Sequence, residues 1–331
     1  MRNKIRWGIL STAKIGMMKV NPAIQNAENC EVTAIASRDI EKSKLAAEKL
    51  GIEKYYGSYE ELLADPDIDA IYNPLPNNMH LGWTIKAMDA GKHVLCEKPI
   101  GLDSKEAKIL RDTAKNYPDI KIMEAFMYRF HPQWKKVKSL IEEGKIGTVS
   151  TVHSFFSYNN MDPDNIRNKI EVGGGGLMDI GCYCISFPRF IFGEEPERVV
   201  GTMNHDPLMK TDRLTSSIME FSGGITSTFT CSTQLMPYQR VNILGDKGHI
   251  EVEIPVNTPP DLPTRIWLRT PNGSEEIVFD AVDQYTKQAE SFARAILEGS
   301  DVPTSLDDAI ANMVVIDAVV ESSKSGKWVS I

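Results

Sequence analysis

His93-Val94-Leu95-Cys96-Glu97-Lys98-Pro99 is the stretch around which the rest of the sequence can be ordered. The apolar run in its middle is typical of a buried strand. That strand must end before Pro99, because proline cannot donate a hydrogen bond to a sheet. Glu97 and Lys98 therefore follow the carboxyl end of a strand, where open α/β sheets bind their ligands. We predict that Lys98 is a base or cation in an active site; a solvated Glu-Lys pair at a strand end is the alternative.

Strand-like and helix-like segments alternate on both sides of this stretch, from residue 5 to residue 125. The alternation predicts a Rossmann-type, doubly wound parallel sheet with right-handed crossovers. After residue 126 strands dominate, which predicts an α+β domain with a large, mostly antiparallel sheet. The predicted domains are 1–125, which binds a dinucleotide, and 126–331, which binds substrate and forms oligomer contacts. The C-terminal helices could instead pack back on the first domain.

Composition excludes several classes of protein. The chain has 331 residues and a net charge of −8, which argues against nucleic acid or an anionic membrane as its partner. No apolar run approaches the roughly 18 residues of a membrane span, and the N-terminus enters a strand without a signal-peptide core. The five scattered cysteines do not resemble a disulfide framework. Cys182-x-Cys184 lacks further ligands at zinc-site spacing, so we expect no bound metal. The absence of a membrane span, a signal peptide and a disulfide framework predicts a cytoplasmic protein.

A phosphate-binding loop is predicted after the first strand, where Ser11-Thr12-Ala13-Lys14-Ile15-Gly16 leads into a helix. Small residues let the backbone approach a pyrophosphate, whose charge is stabilised by the helix N-terminus. The usual pattern is G-x-G-x-x-G, and here Ser11 and Ala13 replace the first two glycines. An ordinary strand–helix turn is therefore the alternative.

The end of the second strand, Ser37-Arg38-Asp39, bears on the choice of cofactor. An acid at this place binds the ribose hydroxyls of NAD, whereas an arginine accommodates the 2′-phosphate of NADP. Asp39 has the position of an N-cap for the next helix, so NADP is favoured and NAD is the alternative. Further cofactor contacts are predicted at the ends of the next two strands: Asn73, Pro74, Leu75, Asn77, His80, Glu97 and Lys98.

A second candidate site lies where Gly173 to Gly176 precede Asp179 and Tyr183. Four glycines cost backbone entropy, which suits a close approach to a ligand or a sharp turn into a helix. Asp179 and Tyr183 are four residues apart and would share one helix face, as an acid/base pair would require. The alternative is an N-terminal Asp and a buried helix Tyr. Three further residues are predicted to line the substrate pocket, although the arginines could merely brace the domain interface: Arg129, His131 and Arg167.

Taken together, these features resemble the glucose–fructose oxidoreductase / inositol dehydrogenase / MocA family. The resemblance rests on the Rossmann-like opening, Glu97-Lys98-Pro99, and the glycine run leading to Asp179-x-x-x-Tyr183. The stretches 73–77 and 127–132 and the Tyr at 183, where many relatives carry His, resemble the branch of dihydrodiol dehydrogenases and NADP-dependent D-xylose dehydrogenases. The departure at Ser11 and Ala13 leaves the detail of the phosphate loop open.

The resemblance implies a two-domain enzyme with the nicotinamide in the cleft between its domains, and a cis bond between Lys98 and Pro99. It implies that Lys98 and Tyr183 act at the substrate carbon that bears the hydroxyl. A free tyrosine has a pKa near ~10, and a cation such as Lys98 favours its phenolate. We therefore predict Tyr183 as general acid/base, Lys98 as its electrostatic partner and substrate anchor, and Asp179 as a partner of substrate or of Lys98.

The predicted function is hydride transfer between NADP and a hydroxyl-bearing carbon of a sugar or cyclic polyol. Two alternatives stay open: a glycosidase that keeps its nicotinamide bound and cleaves by transient oxidation, and a non-catalytic regulator that senses the cofactor. Because a broad sheet leaves one face to cover, we also predict a homodimer or homotetramer formed through the C-terminal sheet.

Overall fold

A computed structural model describes residues 3–331 and divides the chain into two compact units. The first unit ends at Met127 and takes up Tyr285–Ile310 again; the second comprises Tyr128–Gln284 and Ala311–Ile331. The boundary thus lies two residues beyond the predicted one, and a late segment belongs to the first unit. That segment is fixed there by packing of Phe292 on Trp7, with ring centroids 5.7 Å apart, and by a hydrogen bond from Thr286 Oγ1 to Ala23 O.

The first unit is built on a six-stranded parallel sheet. Its strands are β1 (Ile5–Leu10), β2 (Cys30–Ala36), β3 (Lys54–Tyr56), β4 (Ala70–Asn73), β5 (His93–Cys96) and β6 (Ile122–Glu124). Their order is β3-β2-β1-β4-β5-β6, and all five pairings are parallel. The predicted doubly wound sheet is confirmed. The strand order reverses between β1 and β4, which is the place where such sheets form a ligand-binding crevice.

Helices connect the strands of this sheet. They are α1 (Asn21–Asn26), α2 (Ile40–Leu50), α3 (Tyr59–Ala64), α4 (Asn77–Asp89) and α5 (Ser104–Ala114). The helix predicted after the phosphate loop differs in its first turns, which form a π-helical segment over Gly16–Val20 before α1 begins. Strands β1, β4 and β5 are almost wholly buried, as expected for strands covered on both faces.

The second unit is built on a nine-stranded sheet. Its elements in chain order are α6 (Pro132–Glu142), β7 (Val149–Asn159), α7 (Cys182–Phe192), β8 (Arg198–His205), β9 (Asp212–Glu220), β10 (Thr226–Ser232), β11 (Gln234–Gly245), β12 (Gly248–Val252), β13 (Thr264–Thr270) and β14 (Gly273–Phe279). The chain ends with α8 (Gln284–Glu298), α9 (Leu306–Ser325) and β15 (Val329–Ser330).

The sheet order is β14-β13-β12-β11-β7-β10-β9-β8-β15, and only β7 and β10 pair in parallel. The predicted large, mostly antiparallel sheet is confirmed. Helix α7 packs against β7 and β10 on one face of this sheet. On β10 the residues alternate between buried and half-exposed, so the opposite face is the more open one.

Candidate functional site

The predicted phosphate loop follows β1 directly. Ser11 has a φ of +82°, the left-handed conformation that a glycine usually supplies at this place. Its Oγ accepts a hydrogen bond of 3.2 Å from the Ala13 N–H, which stabilises the turn. Gly16 then opens the π-helical segment, where a Cβ would lie 3.2 Å from the Asn21 side chain. The loop thus keeps a glycine-like backbone at Ser11, although that residue carries a side chain.

At the end of β2 the cation Arg38 is exposed, whereas the carboxylate of Asp39 is occupied by hydrogen bonds within the chain. The Asp39 carboxylate caps α2 by accepting hydrogen bonds from the backbone N–H groups of Glu41 (3.1 Å) and Lys42 (3.4 Å). Arg38 is exposed and interacts with the Tyr59 hydroxyl; burial raises the pKa of Tyr59, and the Arg38 charge opposes that rise. Ser37 lies buried beside them, with its Oγ accepting from the Asp39 N–H. This edge of the sheet is suited to bind a phosphate rather than a ribose diol.

The end of β4 is held together by Asn73, which is fully buried. Its amide nitrogen donates to Thr84 Oγ1 and to the backbone carbonyl of His80, and its oxygen accepts from the Leu75 N–H at 3.3 Å. The side chain therefore stabilises the turn over Pro74 and Leu75 that leads to Asn77, the first residue of α4. The Asn73 amide is thus bonded within its own chain, and contacts of Asn73, Pro74, Leu75 and Asn77 with the cofactor stay predictions.

The stretch that ends β5 lies where the sequence predicted it. The strand stops at Cys96, Glu97 and Lys98 are half-buried just beyond it, and the Lys98–Pro99 bond is cis. The Glu97 carboxylate accepts a hydrogen bond of 2.7 Å from the Tyr72 hydroxyl. An acid and a cation thus stand at the carboxyl edge of the sheet, with the acid held by a buried tyrosine of the neighbouring strand.

His80 connects the turns that follow β4 and β5. It is 1% exposed, with Nδ1 2.8 Å from the Pro99 carbonyl oxygen and Nε2 2.7 Å from the Leu75 carbonyl oxygen. Burial lowers the pKa of His80 to about 4; the two carbonyl contacts oppose this shift and the Lys98 charge adds to it. The ring is thus enclosed by its own chain, and a contact of His80 with the cofactor stays a prediction.

In the second unit, the glycine run makes a sharp turn into the helix. Gly175 has a φ of +126°, and a Cβ there would lie 2.1 Å from Asp212 Oδ1. A Cβ on Gly174 would lie 2.6 Å from the Arg167 carbonyl oxygen. Asp212 Oδ2 accepts hydrogen bonds of 2.7 Å from the Leu177 N–H and from Thr215 Oγ1. The glycines are needed because this loop lies directly against a buried carboxylate that caps the helix start.

Asp179 lies in the first turn of that helix, which is π-helical over Leu177–Gly181. Its Oδ2 accepts hydrogen bonds from the Tyr158 hydroxyl (2.6 Å) and from Arg167 Nε (2.9 Å). The Asp179 side chain is 14% exposed. Burial, and then the Asp179 charge, raise the pKa of Tyr158, so that this hydroxyl stays protonated and donates. Asp179 is thereby held as an oriented carboxylate.

Tyr183 lies in α7, just beyond the π-helical segment that contains Asp179. It is 5% exposed. Its ring packs edge-on against Tyr128 and is tilted against Phe156, with centroids 6.0 and 6.1 Å away. π-Helical turns occur often at functional sites, and this one contains Asp179 and ends two residues before Tyr183. The structure therefore places a carboxylate and a phenol at the start of one helix, each supported by aromatic residues.

The remaining predicted pocket residues have structural partners. Arg129 donates to Ser186 Oγ at 2.8 Å and lies over the Phe190 ring, so it braces α7. His131 is fully buried, caps α6 by accepting from the Gln133 N–H, and packs against Phe279. Burial lowers the pKa of His131 to about 4. Arg167 contacts a predicted catalytic residue, because its Nε donates to Asp179 Oδ2.

Several partners of the site were not predicted. They are the residues that hold predicted site residues from other strands or helices: Tyr59, Tyr72, Tyr158 and Asp212. Tyr158 is 21 residues from Asp179, and Asp212 is 35 residues from Leu177. Tyr72, Tyr158 and Asp212 lie in strands and Tyr59 begins a helix. Their local sequence does not indicate these contacts, so only the tertiary structure could have identified them.

Within residues 3–331, no group of three or more His, Cys, Asp or Glu side chains is placed to hold a metal ion. None of the helices in this range is both long enough and apolar enough to cross a membrane.

Comparison with known proteins adds to this geometry. Residues 5–125 match the oxidoreductase family with an NAD-binding Rossmann fold, and residues 134–251 match the GFO/IDH/MocA C-terminal domain. The chain is 36% identical to D-xylose 1-dehydrogenase (NADP(+)) 2 of Haloferax volcanii, covering 98% of this chain and 99% of that protein. It is 31% identical to trans-1,2-dihydrobenzene-1,2-diol dehydrogenase of Xenopus laevis, covering 96% and 97%. Among solved structures, the 3-ketoreductase KijD10 of Actinomadura kijaniata, in complex with NADP and TDP-benzene, has a TM-score of 0.91 at 30% identity, covering 97% of this chain and 98% of that one.

Proposed function

Since the chain belongs to the Gfo/Idh/MocA family of oxidoreductases, we propose that it is an NADP-dependent dehydrogenase or reductase of a sugar or cyclic polyol. The observation that carries the proposal is the start of α7, where Tyr183 follows an Asp179 carboxylate held by Tyr158 and Arg167. The names of the relatives, a D-xylose dehydrogenase and a dihydrodiol dehydrogenase, support the substrate class.

The residues at the carboxyl edge of the first sheet fit a dinucleotide. The left-handed Ser11 and the small Ala13 would let the backbone of the loop approach a pyrophosphate, as a glycine loop does. Arg38 and the Ser37 hydroxyl would hold the 2′-phosphate, while Asp39 is occupied in capping α2. This arrangement supports NADP over NAD. When bound, the nicotinamide supplies the acceptor or donor of the hydride.

The chain's own residues handle the proton. In the proposal Tyr183 takes the proton of the substrate hydroxyl as hydride leaves the carbon, and returns it in the reverse direction. Lys98 stabilises the phenolate by its positive charge and anchors the substrate. Asp179, held in one orientation, accepts hydrogen bonds from a substrate hydroxyl or pairs with Lys98.

A substrate panel with purified protein tests the proposal. Aldoses, inositols, cyclic trans-diols and a dTDP-linked keto-sugar are each assayed with NADP and with NAD, following the absorbance of the reduced cofactor. We expect turnover of at least one polyhydroxylated ring and a preference for NADP. Binding of NADP with no turnover in either direction would favour the non-catalytic alternative. Release of nitrophenol from an aryl glycoside without added cofactor would favour the glycosidase.

Two variants test the assigned roles. Tyr183→Phe and Lys98→Ala should each abolish turnover while leaving the NADP dissociation constant within a few-fold of wild type. Tyr55→Phe and Lys105→Ala, both at exposed positions, serve as matched controls that keep full activity. A near-normal kcat in either catalytic variant would contradict the role given to that residue.

We propose further that the chain forms a homodimer or homotetramer through the open face of the nine-stranded sheet. Exposed apolar side chains lie on strands of this sheet, among them Ile218 (42% exposed) and Tyr238 (49% exposed), whose ring packs against Phe155. Such residues on a sheet face favour burial against a second copy. Light scattering should give a multiple of the monomer mass for wild type and a monomer for Ile218→Asp; a monomeric wild type would contradict this proposal.

A cytoplasmic location is also part of the proposal. All five cysteines are buried free thiols, and this supports a reducing compartment. Fractionation of cells that express the protein would test it, with recovery outside the cytoplasm as the contrary result.

A further inference from the structure

The imidazole of His80 is enclosed between two groups of the same chemical kind. Nδ1 faces the Pro99 carbonyl oxygen at 2.8 Å, and Nε2 faces the Leu75 carbonyl oxygen at 2.7 Å. A carbonyl oxygen only accepts hydrogen bonds, and a neutral imidazole donates from one nitrogen only. The two turns can both be bonded only if the ring carries a proton on each nitrogen.

In the protein alone, burial of the ring, and to a smaller extent the Lys98 charge, oppose that second proton. The ring is 1% exposed, and burial together with the Lys98 charge lowers its pKa to about 4. The carboxylates of the neighbouring turns have partners of their own: Glu97 accepts from the Tyr72 hydroxyl, and Glu124 accepts from the Ile100 N–H. At neutral pH the ring is therefore neutral, and one of the two carbonyl oxygens faces a nitrogen lone pair.

A bound anion near the ring would favour the doubly protonated, positively charged form of His80. The Leu75 and Pro99 turns follow β4 and β5 at the carboxyl edge of the sheet, and the proposed function places the negatively charged dinucleotide at that edge. We propose that His80 takes up a proton when the dinucleotide binds, so that one imidazolium bonds both turns and fixes Lys98 relative to the β4 turn. His80 is thus a positioning residue, and this inference rests on the proposed function.

Calorimetry measures the proton directly. NADP⁺ is titrated into wild-type protein near pH ~7 in two buffers of different ionisation enthalpy, and the measured heats give the protons taken up per site. The 2′-phosphate of NADP⁺ itself titrates at about pH 6, so the wild type is compared with His80→Gln, which cannot be protonated. The difference should approach one proton per site. His153→Gln, an exposed histidine of the second unit, should leave the wild-type value unchanged.

The pH dependence of affinity and the ring spectrum give independent readouts. The wild-type affinity for NADP⁺ should fall by up to about tenfold per pH unit as the pH rises, and the His80→Gln affinity should lack this component. Nitrogen NMR of the bound wild type should show two protonated ring nitrogens for His80, a result that stands even if His80→Gln fails to fold. Equal proton uptake in wild type and variant, or a neutral His80 ring in the complex, would overturn the inference. Absence of any NADP⁺ binding would instead refute the proposed function.

Discussion

Substituting Gly175 by alanine tests how the loop before α7 is held. The residue has a φ of +126°, a region that costs a side chain roughly 1–3 kcal/mol. The new Cβ would lie 2.1 Å from Asp212 Oδ1, so the buried carboxylate must move away from its two donors, the Leu177 N–H and Thr215 Oγ1. Weakening hydrogen bonds to a charged group adds roughly 2 kcal/mol. We expect Gly175→Ala to lower the free energy of unfolding by about 3–5 kcal/mol.

Gly193→Ala, at the other end of α7, is the matched control. It has a φ of +70° and nothing within 4 Å of a built Cβ, so it bears only the backbone cost of about 1–2 kcal/mol. Both variants would be unfolded in guanidinium chloride and followed by tryptophan fluorescence. In an Asp212→Ser background, Gly175→Ala should cost about 2 kcal/mol less than in wild type. If Gly175→Ala costs no more than Gly193→Ala, the contact with Asp212 does not hold the loop and the reasoning is wrong.

Three further substitutions have defined outcomes. Arg38→Ala should raise the dissociation constant of NADP about 10- to 100-fold in a fluorescence titration and leave that of NAD unchanged, because a charge-assisted contact to phosphate is lost; an equal loss for both cofactors would contradict this role. Tyr158→Phe removes a donor from Asp179 and should lower kcat/KM about tenfold or more in steady-state assays, whereas wild-type kinetics would show that the bond has no part in catalysis. His131→Asn, which keeps a capping side chain, should remove a pH dependence of stability. The folded-state pKa of about 4 lies below the ordinary 6.5, so the unfolded chain binds the proton more tightly and wild type loses about 3 kcal/mol as the pH falls from 6.5 to 4. Urea unfolding at several pH values measures this, and an equal loss in the variant would be the contrary result.

The parallel sheet and the place of Lys98 could be predicted because their signals are local. An apolar run sets each buried strand, and Pro99 ends β5 whatever the remainder of the chain does. The role of Asp39 could also be predicted, because an N-cap acts only on the N–H groups two and three residues ahead of it.

The support of the site could not be predicted in the same way. Asp179 depends on Tyr158, whose hydroxyl reaches it only because β7 passes the start of α7. The sequence presents His131 as one more polar ring near a candidate site, yet burial and a capping contact give it a structural role. The left-handed backbone of Ser11 could not be predicted either, because the sequence has a serine where the motif usually has a glycine.

The late segment of the first unit has a consequence for synthesis on the ribosome. Trp7 packs against Phe292, and Asn29 and Cys30 bond the backbone carbonyls of Glu290 and Ala289. When the first 127 residues have emerged, these partners have not yet been translated. One flank of the nascent sheet therefore stays uncovered until residues 289–292 emerge, when nearly the whole polypeptide has left the exit tunnel. A shortened gene that stops after the sixth strand would produce a protein that carries this uncovered flank permanently.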